Sequence, residues 1–474
     1  MKQTFFPESS PESLGISSKA LENFTDALDA LDQAHSFVLV RHGRTAAAGA
    51  GRPYSLDLPH ELFSLSKSFV SVAVGIAQGE GRLSIHDRIA DFFPEYLTDD
   101  VPPVMRRVTL RDALRMSTGH DRCSFAFVDF ERGDWVKQIL ESTPAWEPGE
   151  RFAYNSGATF LLAAVIRKVT GQNVSEYLRT RLFDPLGITP PQWDNSPTGI
   201  NIGGWGLWLS TQDIAKFAHL LLNKGNLDGK QLIPADYLKE AVSFQSDNSM
   251  NGWADWKVGY GYQFWLCRPR NAFRGDGANG QYAVVMPDQD MVFAFTSGLH
   301  DMQLVLDHLW DIVLPAVHDA PLPEDPAAYQ SLRTRLNGLT AKIPDKLKKP
   351  SVPHPVFESR YALAPNGYGF RELTVSSSGD SCTLETDGVR IPAGFGKLIV
   401  SEAPLASKTP KRIAAQAAWI DGSTLIVYVF CVQTTARFTY ELHFEDDFVS
   451  VRRSTPVLFF SDKDNILFHG KRIS

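Results

Sequence analysis

Ser64 and Lys67 stand three residues apart at the head of the run Leu62-Phe63-Ser64-Leu65-Ser66-Lys67-Ser68-Phe69-Val70, which continues as an apolar helix pattern to Gly79 and Gly81. A hydroxyl is a weak nucleophile until a neighbour takes its proton, and a lysine amine can take it only where burial lowers its pKa from about 10.4. An i, i+3 spacing on a helix puts both side chains on one face, and a serine at the helix start lies beside unsatisfied amides and the positive end of the dipole. Ser-x-x-Lys also arises by chance, and a serine at a helix start commonly serves as a cap, so this pair needs support from elsewhere in the chain.

Two further segments offer that support. Pro148-Gly149-Glu150-Arg151-Phe152-Ala153-Tyr154-Asn155-Ser156-Gly157 precedes the helical run Phe160 to Ile166. Beside a cation such as Lys67, Tyr154 can carry protons, although a packed aromatic with a bonded hydroxyl is the plainer reading. Phe273-Arg274-Gly275-Asp276-Gly277-Ala278-Asn279-Gly280 runs into the strand patterns Tyr282 to Met286 and Met291 to Phe295. A glycine-rich strand lets a backbone amide approach a substrate closely.

At these three segments the sequence resembles the serine β-lactamase-like hydrolases of the class C type, a family that includes class C β-lactamases, D-alanyl-D-alanine carboxypeptidases, family VIII carboxylesterases and 6-aminohexanoate-dimer hydrolase. The likeness extends through Val108 to Leu114, Leu182 to Ile188 and Gly203-Gly204-Trp205-Gly206-Leu207, and covers residues 10 to 315 in the expected order. It implies an α/β (α+β) catalytic domain of the β-lactamase and penicillin-binding transpeptidase type, with an antiparallel sheet flanked by helices plus a helical subdomain. It further implies Ser64 as the acylated nucleophile, Lys67 as its partner, Tyr154 as the proton shuttle, and the amides of Ser64 and Ala278 as the oxyanion hole. Asn155, Ser156, Gly275 and Gly277 are the implied supporting and substrate-binding positions.

Two positions depart from the family pattern. Tyr-x-Asn reads Tyr154-Asn155-Ser156, so a hydroxyl stands where an amide is usual unless the local shape turns Asn155 inward. The third motif commonly begins with Lys or His, and Gly275 stands there. In the family that cation helps bind a substrate carboxylate. Strand alternation predicts that Arg274, next to Gly275, points away from the cleft and cannot replace it. An uncharged small ester or amide is therefore the expected substrate. A degenerate binding or sensor protein of the same fold, or a true β-lactamase or D-Ala-D-Ala carboxypeptidase, are the alternatives.

Other motifs add little chemistry. Gly275, Gly277 and Gly280 spell G-x-G-x-x-G, but a strand pattern rather than a helix follows, so nucleotide binding is not expected. Trp205, Trp208, Trp253, Trp256, Tyr260, Tyr262, Phe264 and Trp265 cluster in sequence, and most are expected to pack in the core. His42, His60 and His120 lack triad spacing and receive no catalytic role.

The elements that must position these residues belong to a 474-residue chain with 47 basic and 54 acidic residues, a net charge of −7. That balance gives no broad field for nucleic acid or a membrane surface. No apolar run reaches a spanning length, and Met1-Lys2-Gln3-Thr4-Phe5-Phe6-Pro7-Glu8 does not read as a secretory leader, so a cytoplasmic location is expected. Cys123, Cys267, Cys382 and Cys431 lie far apart without ligand spacing, and no metal or cofactor is expected. The Pro-rich Leu314 to Pro326 and the segment Lys346-Leu347-Lys348-Lys349-Pro350 suggest a hydrolase domain at 1–325, a helix and linker at 326–350, and a C-terminal domain at 351–474. The last reads as a small antiparallel β-barrel-like unit, from alternating runs such as Arg437 to Phe444 and the turns Asn366-Gly367, Asp387-Gly388 and Asp421-Gly422. Oligomeric state is not legible.

Overall fold

The computed structural model describes the chain except residues 1–4, 132, 349–351, 353–355, 367–368, 408 and 457–465. Met1 to Thr4 of the leader reading, Lys349 and Pro350 of the linker reading and Gly367 of the first turn lie outside the described residues. The first helix, α1 (Ser18–Ala30), begins where Ser17 accepts a hydrogen bond from the Ala20 amide, and it buries Leu21, Phe24 and Leu28. Strands β1 (Ala34–Arg41) and β2 (Arg44–Ala50) follow as a hairpin, then the two-residue β3 (His60–Glu61). Helix α2 (Ser66–Gly79) and helix α3 (Ser156–Thr170) are apolar on nearly every side, which suits elements packed against each other in the protein's centre. Strand β4 (Trp208–Leu209) pairs with β3, placing Glu61 opposite Trp208, and helix α4 (Thr211–Leu222) covers the sheet.

Strands β5 (Trp265–Leu266), β6 (Phe273–Gly277), β7 (Gln281–Met286) and β8 (Met291–Ser297) complete a six-stranded antiparallel sheet in the order β2-β1-β8-β7-β6-β5. Its central strands are buried throughout, because α4 lies on one face and α1 with residues 303–313 on the other. Gly280 ends in a turn at φ 84° and β7, a strand, follows, so the glycine triplet here shapes a hairpin. This is the expected β-lactamase-type arrangement of a helix-flanked antiparallel sheet.

A helix, α5 (Pro326–Asn337), opens the segment read as helix and linker, with Pro326 as its first residue and Asp325 as its cap. Proline is tolerated there because the first helical amide has no intrahelical acceptor. Ten strands follow: β9 (Phe357–Leu363), β10 (Glu372–Ser378), β11 (Ser381–Thr386), β12 (Val389–Phe395), β13 (Ile399–Ala403), β14 (Lys411–Trp419), β15 (Thr424–Cys431), β16 (Arg437–Glu445), β17 (Phe448–Ser454) and β18 (Ile466–Arg472). Nine of them close into a barrel, because Gly394 and Phe395 of β12 pair in parallel with Gln416 and Ala417 of β14, while β13 lies on β14 outside the ring. The Asp387-Gly388 turn joins β11 to β12 with φ 43° and 86°, the doubly positive geometry that favours this dipeptide. Tyr54 packs with Phe430 and Tyr428, and Gln433 reaches the segment before Ser64, so the barrel abuts the catalytic half directly. Among the described residues no helix is long and apolar enough to cross a membrane.

Candidate active site

Ser64 lies in a 3-10 turn, Phe63–Leu65, that runs straight into α2. Phe63 holds a φ of 47°, a left-handed conformation costly for a bulky residue and found mainly where surrounding structure fixes a functional turn. One turn on, Lys67 is 1% exposed, and its Nζ donates to Ser64 Oγ at 2.9 Å and to the Gly204 carbonyl at 2.6 Å. That second bond gives the Gly203-Gly204 turn a role: it anchors the amine. Burial pulls the Lys67 amine down to about 7, and the Cys123 and Asp276 charges oppose this only in part. A lysine in that state is about half free base at pH 7 and can accept a proton there.

Tyr154 comes from the loop before α3. Its ring lies 4.9 Å from Lys67 Nζ and stacks on Trp265 at 5.5 Å between centroids. Burial raises the phenol above its usual range, and nearby Ser64, which favours the phenolate, opposes this only in part. Serine, lysine and tyrosine from two distant stretches of chain therefore meet.

They open onto a cleft of about 780 Å³ whose lining includes Ser64, Tyr154, Ser156, Ala278, Asp276 and Glu61. Its walls are aromatic. Trp205, Trp253, Trp256 and Trp265 line it, whereas Trp208, Tyr260, Tyr262 and Phe264 do not, so the sequence cluster divides between cleft and core.

Several supporting positions differ from their expected roles. Asn155 is turned away from the cleft. In an extended conformation it caps α3, its Oδ1 accepting from the Gly157 and Ala158 amides and from Ser124, while its amide donates to Thr118 Oγ1 at 3.3 Å. Ser156, the first residue of α3, is the one that reaches the cleft. Gly275 and Gly277 share a strand face directed at the Leu62 to Ser68 segment. A Cβ on Gly275 would lie 2.3 Å from Leu65 Cδ1, and one on Gly277 would lie 2.1 Å from the Leu62 carbonyl oxygen. Both glycines therefore let β6 lie against the nucleophile's own turn, rather than contacting substrate with side chains.

The parity assigned to Arg274 is also corrected. Since Gly275 faces the helix, Arg274 shares the opposite face with Asp276, which lines the cleft. Arg274 still does not reach it: the side chain is fully buried, its Nε donates to Asp276 Oδ2 at 2.9 Å, and its guanidinium lies 4.4 Å from the Trp256 ring. Burial raises the Asp276 carboxyl, and Arg274 opposes the rise.

The histidines stay outside this group. His60 bonds His35 at 3.1 Å, His120 bonds Thr118 and Ser142, and His42 pairs with Asp290 at the surface. Glu61 and Asp276 were not singled out by sequence reasoning. The signal for Asp276 was its place in the third motif, while Glu61, in a two-residue strand, carried none.

A family model described as Beta-lactamase matches residues 28–310, more than half of the chain. A lovastatin esterase of Penicillium rubens is 27% identical over 173 residues, covering 32% of this chain and 43% of that protein, so the match spans less than half of the esterase's length. The 6-aminohexanoate-dimer hydrolase of Paenarthrobacter ureafaciens is 23% identical over 291 residues, 56% of this chain and 73% of that one. Among solved structures, the octameric penicillin-binding protein homologue from Pyrococcus abyssi aligns with a TM-score of 0.50 at 18% identity, covering 95% of this chain and 99% of that chain, a likeness of fold.

Proposed function

This chain belongs to the β-lactamase family of serine hydrolase folds, and from that premise we propose that it cleaves a small ester or amide through an acyl-enzyme on Ser64. The observation that carries the reading is the 2.9 Å contact between Ser64 Oγ and a lysine amine that burial leaves partly unprotonated, and so able to accept a proton, at neutral pH.

The neutral Lys67 amine accepts the Ser64 proton as Oγ attacks the carbonyl carbon. The developing oxyanion is received by the amides of Ser64 and Ala278, donors that are each worth about 3 to 4 kcal/mol in such sites. Tyr154, near Ser64 and with its ring 4.9 Å from Lys67 Nζ, relays the proton to the departing oxygen or nitrogen as the bond to the acyl carbon breaks. Water then attacks the acyl carbon, gives its proton to the same amine and releases the acid, with Ser64 Oγ reprotonated.

The esterase and the dimer hydrolase among its relatives support both ester and amide as bonds to test. A substrate held by its carboxylate is disfavoured, since Gly275 carries no cation and Arg274 is committed to Asp276. The test is covalent labelling. A fluorophosphonate probe is expected to label Ser64, with p-nitrophenyl acetate turnover lost in Ser64→Ala. Absence of labelling, or unchanged turnover in that variant, overturns the reading.

A further inference from the structure

The charges lining the cleft suit a substrate of opposite sign to a carboxylate. Two acids face it, Glu61 and Asp276, and no lysine or arginine is among its lining residues. Asp276 is balanced from behind by Arg274. Glu61 is not balanced in this way: among the described residues no lysine or arginine lies within ion-pair distance of it. The charges that act on it are Asp194, which opposes its ionisation, and Lys411 of the barrel, which favours it. Lys411 is engaged elsewhere, bonded to the Gln192 side chain and held 4.4 Å from the Trp208 ring.

The wall of the cleft that Glu61 lines also includes Trp205, Trp253, Trp256 and Trp265 with Phe63 and Tyr154. Indole faces attract cations, and a carboxylate beside them supplies the counter-charge. We propose that this cleft takes substrates bearing an alkylammonium group, held by Glu61 and the indole faces while Ser64 attacks the ester or amide carbonyl. The class of substrate rests on the hydrolase reading above, but the ammonium subsite can be measured without turnover.

The backbone of Glu61 is fixed from the barrel. Its amide donates to the Gln433 carbonyl at 2.8 Å, and Gln433 Nε2 donates to the Pro59 carbonyl at 3.1 Å. Burial and Asp194 raise the Glu61 carboxyl to about 8, while neighbouring His60 is kept neutral by burial. An arriving ammonium favours the carboxylate, so binding releases a proton and tightens as pH rises through that range.

Tryptophan fluorescence of the full chain is titrated with hexylammonium, hexanol and hexanoate. Hexylammonium is expected to bind at least about tenfold tighter than hexanol, to tighten from pH 6 to pH 9, and to exceed hexanoate throughout. Equal or tighter binding of hexanoate overturns the proposal, and so does an affinity for hexylammonium that ignores pH. In Glu61→Gln the discrimination between hexylammonium and hexanol is expected to vanish; its persistence in a variant with unchanged Tm overturns the proposal. Should that variant not fold, the pH series on the natural chain decides alone. Loss of ammonium preference with Ser64 labelling intact removes the subsite only. Intact preference without labelling removes the hydrolase reading only.

Discussion

The basicity of Lys67 yields a prediction that separates this site from a serine and lysine that are merely adjacent. An amine with a pKa of about 7 is roughly 10% unprotonated at pH 6 and 90% at pH 8, so kcat/KM for a neutral ester should rise about tenfold over that interval and then level off. The displacement from 10.5 to about 7 corresponds to roughly 5 kcal/mol of preference for the free base. An unperturbed lysine at pH 7.5 is unprotonated only about once in a thousand molecules, and its rate would climb without a plateau up to pH 10. Tyr154 adds no second limb in this range, because its phenol is raised and stays protonated. The assay is kcat/KM for p-nitrophenyl acetate in constant-ionic-strength buffers from pH 5.5 to 9.5, corrected for spontaneous hydrolysis. A flat profile, or a rise that begins only above pH 9, would refute the assignment of Lys67 as the base. Lys67→Arg places a permanent charge there and is expected to abolish the plateau along with the activity.

Tyr154→Phe removes the hydroxyl near Ser64 but keeps the ring over Lys67, so kcat should fall by about 10² to 10⁴, the usual worth of a positioned proton carrier, with little change in Tm. Lys67→Met should stabilise the protein while inactivating it. A lysine whose folded pKa lies below its unfolded value of 10.5 costs stability increasingly as pH falls from there to about 7 and constantly below that. At pH 7 removal of the amine therefore returns up to about 5 kcal/mol, less about 1 to 3 for the orphaned Gly204 carbonyl, and the gain in urea midpoint should shrink toward pH 10. Gly275→Ala forces a methyl group to 2.3 Å from Leu65 Cδ1 and should cost about 1 to 3 kcal/mol by urea unfolding, with kcat lowered because Leu65 adjoins the nucleophile.

The parts legible in the sequence were those that depend on local geometry or on motif order. Ser64 and Lys67 need only one helical turn to meet, and the chain supplies it at Ser66–Gly79. Tyr154 has no local relation to them and was placed by its position in the order of motifs. What sequence could not decide was direction. Asn155 and Ser156 are equally polar neighbours, and the choice between cap and cleft follows from Ser124 and Thr118 lying within reach of one of them. The face presented by Gly275 depended on which side of β6 the turn before α2 would occupy, and one-residue parity reverses every assignment along a strand. The alternating runs and turns announced a β domain, but its closure comes from a two-residue parallel pairing of β12 with β14 that leaves no periodic signal. Glu61 was illegible for a related reason, since its place on the cleft wall is set jointly by Trp208 and by Gln433 of the barrel.

The glycine at the head of the third motif takes on a different meaning once its surroundings are known. Read as sequence, Gly275 is a missing cation. In the fold, position 275 has no room for any side chain, because Leu65 Cδ1 and Ser68 Oγ already occupy the space where even a methyl group would stand. The contact lets β6 close on the turn that carries Ser64, so a lysine there would have to push Leu65 and Ser68 aside before it could reach the cleft. The charge that β6 does present to the cleft is Asp276, and its partner Arg274 is drawn behind it under Trp256, with the positive group on the buried side and the carboxylate on the cleft side. Strand alternation then makes the reversal of polarity a single coupled feature: closing the glycine face onto α2 obliges residues 274 and 276 to share the other face, where one can reach the cleft only in front of the other. Glu61, contributed to the same cleft by β3, is a second carboxyl, one that burial holds protonated until pH rises to about 8. If Ser64 is the nucleophile proposed above, the selectivity expected of it is set by whether the rest of the substrate tolerates, or seeks, a carboxylate in a cleft walled by indole rings.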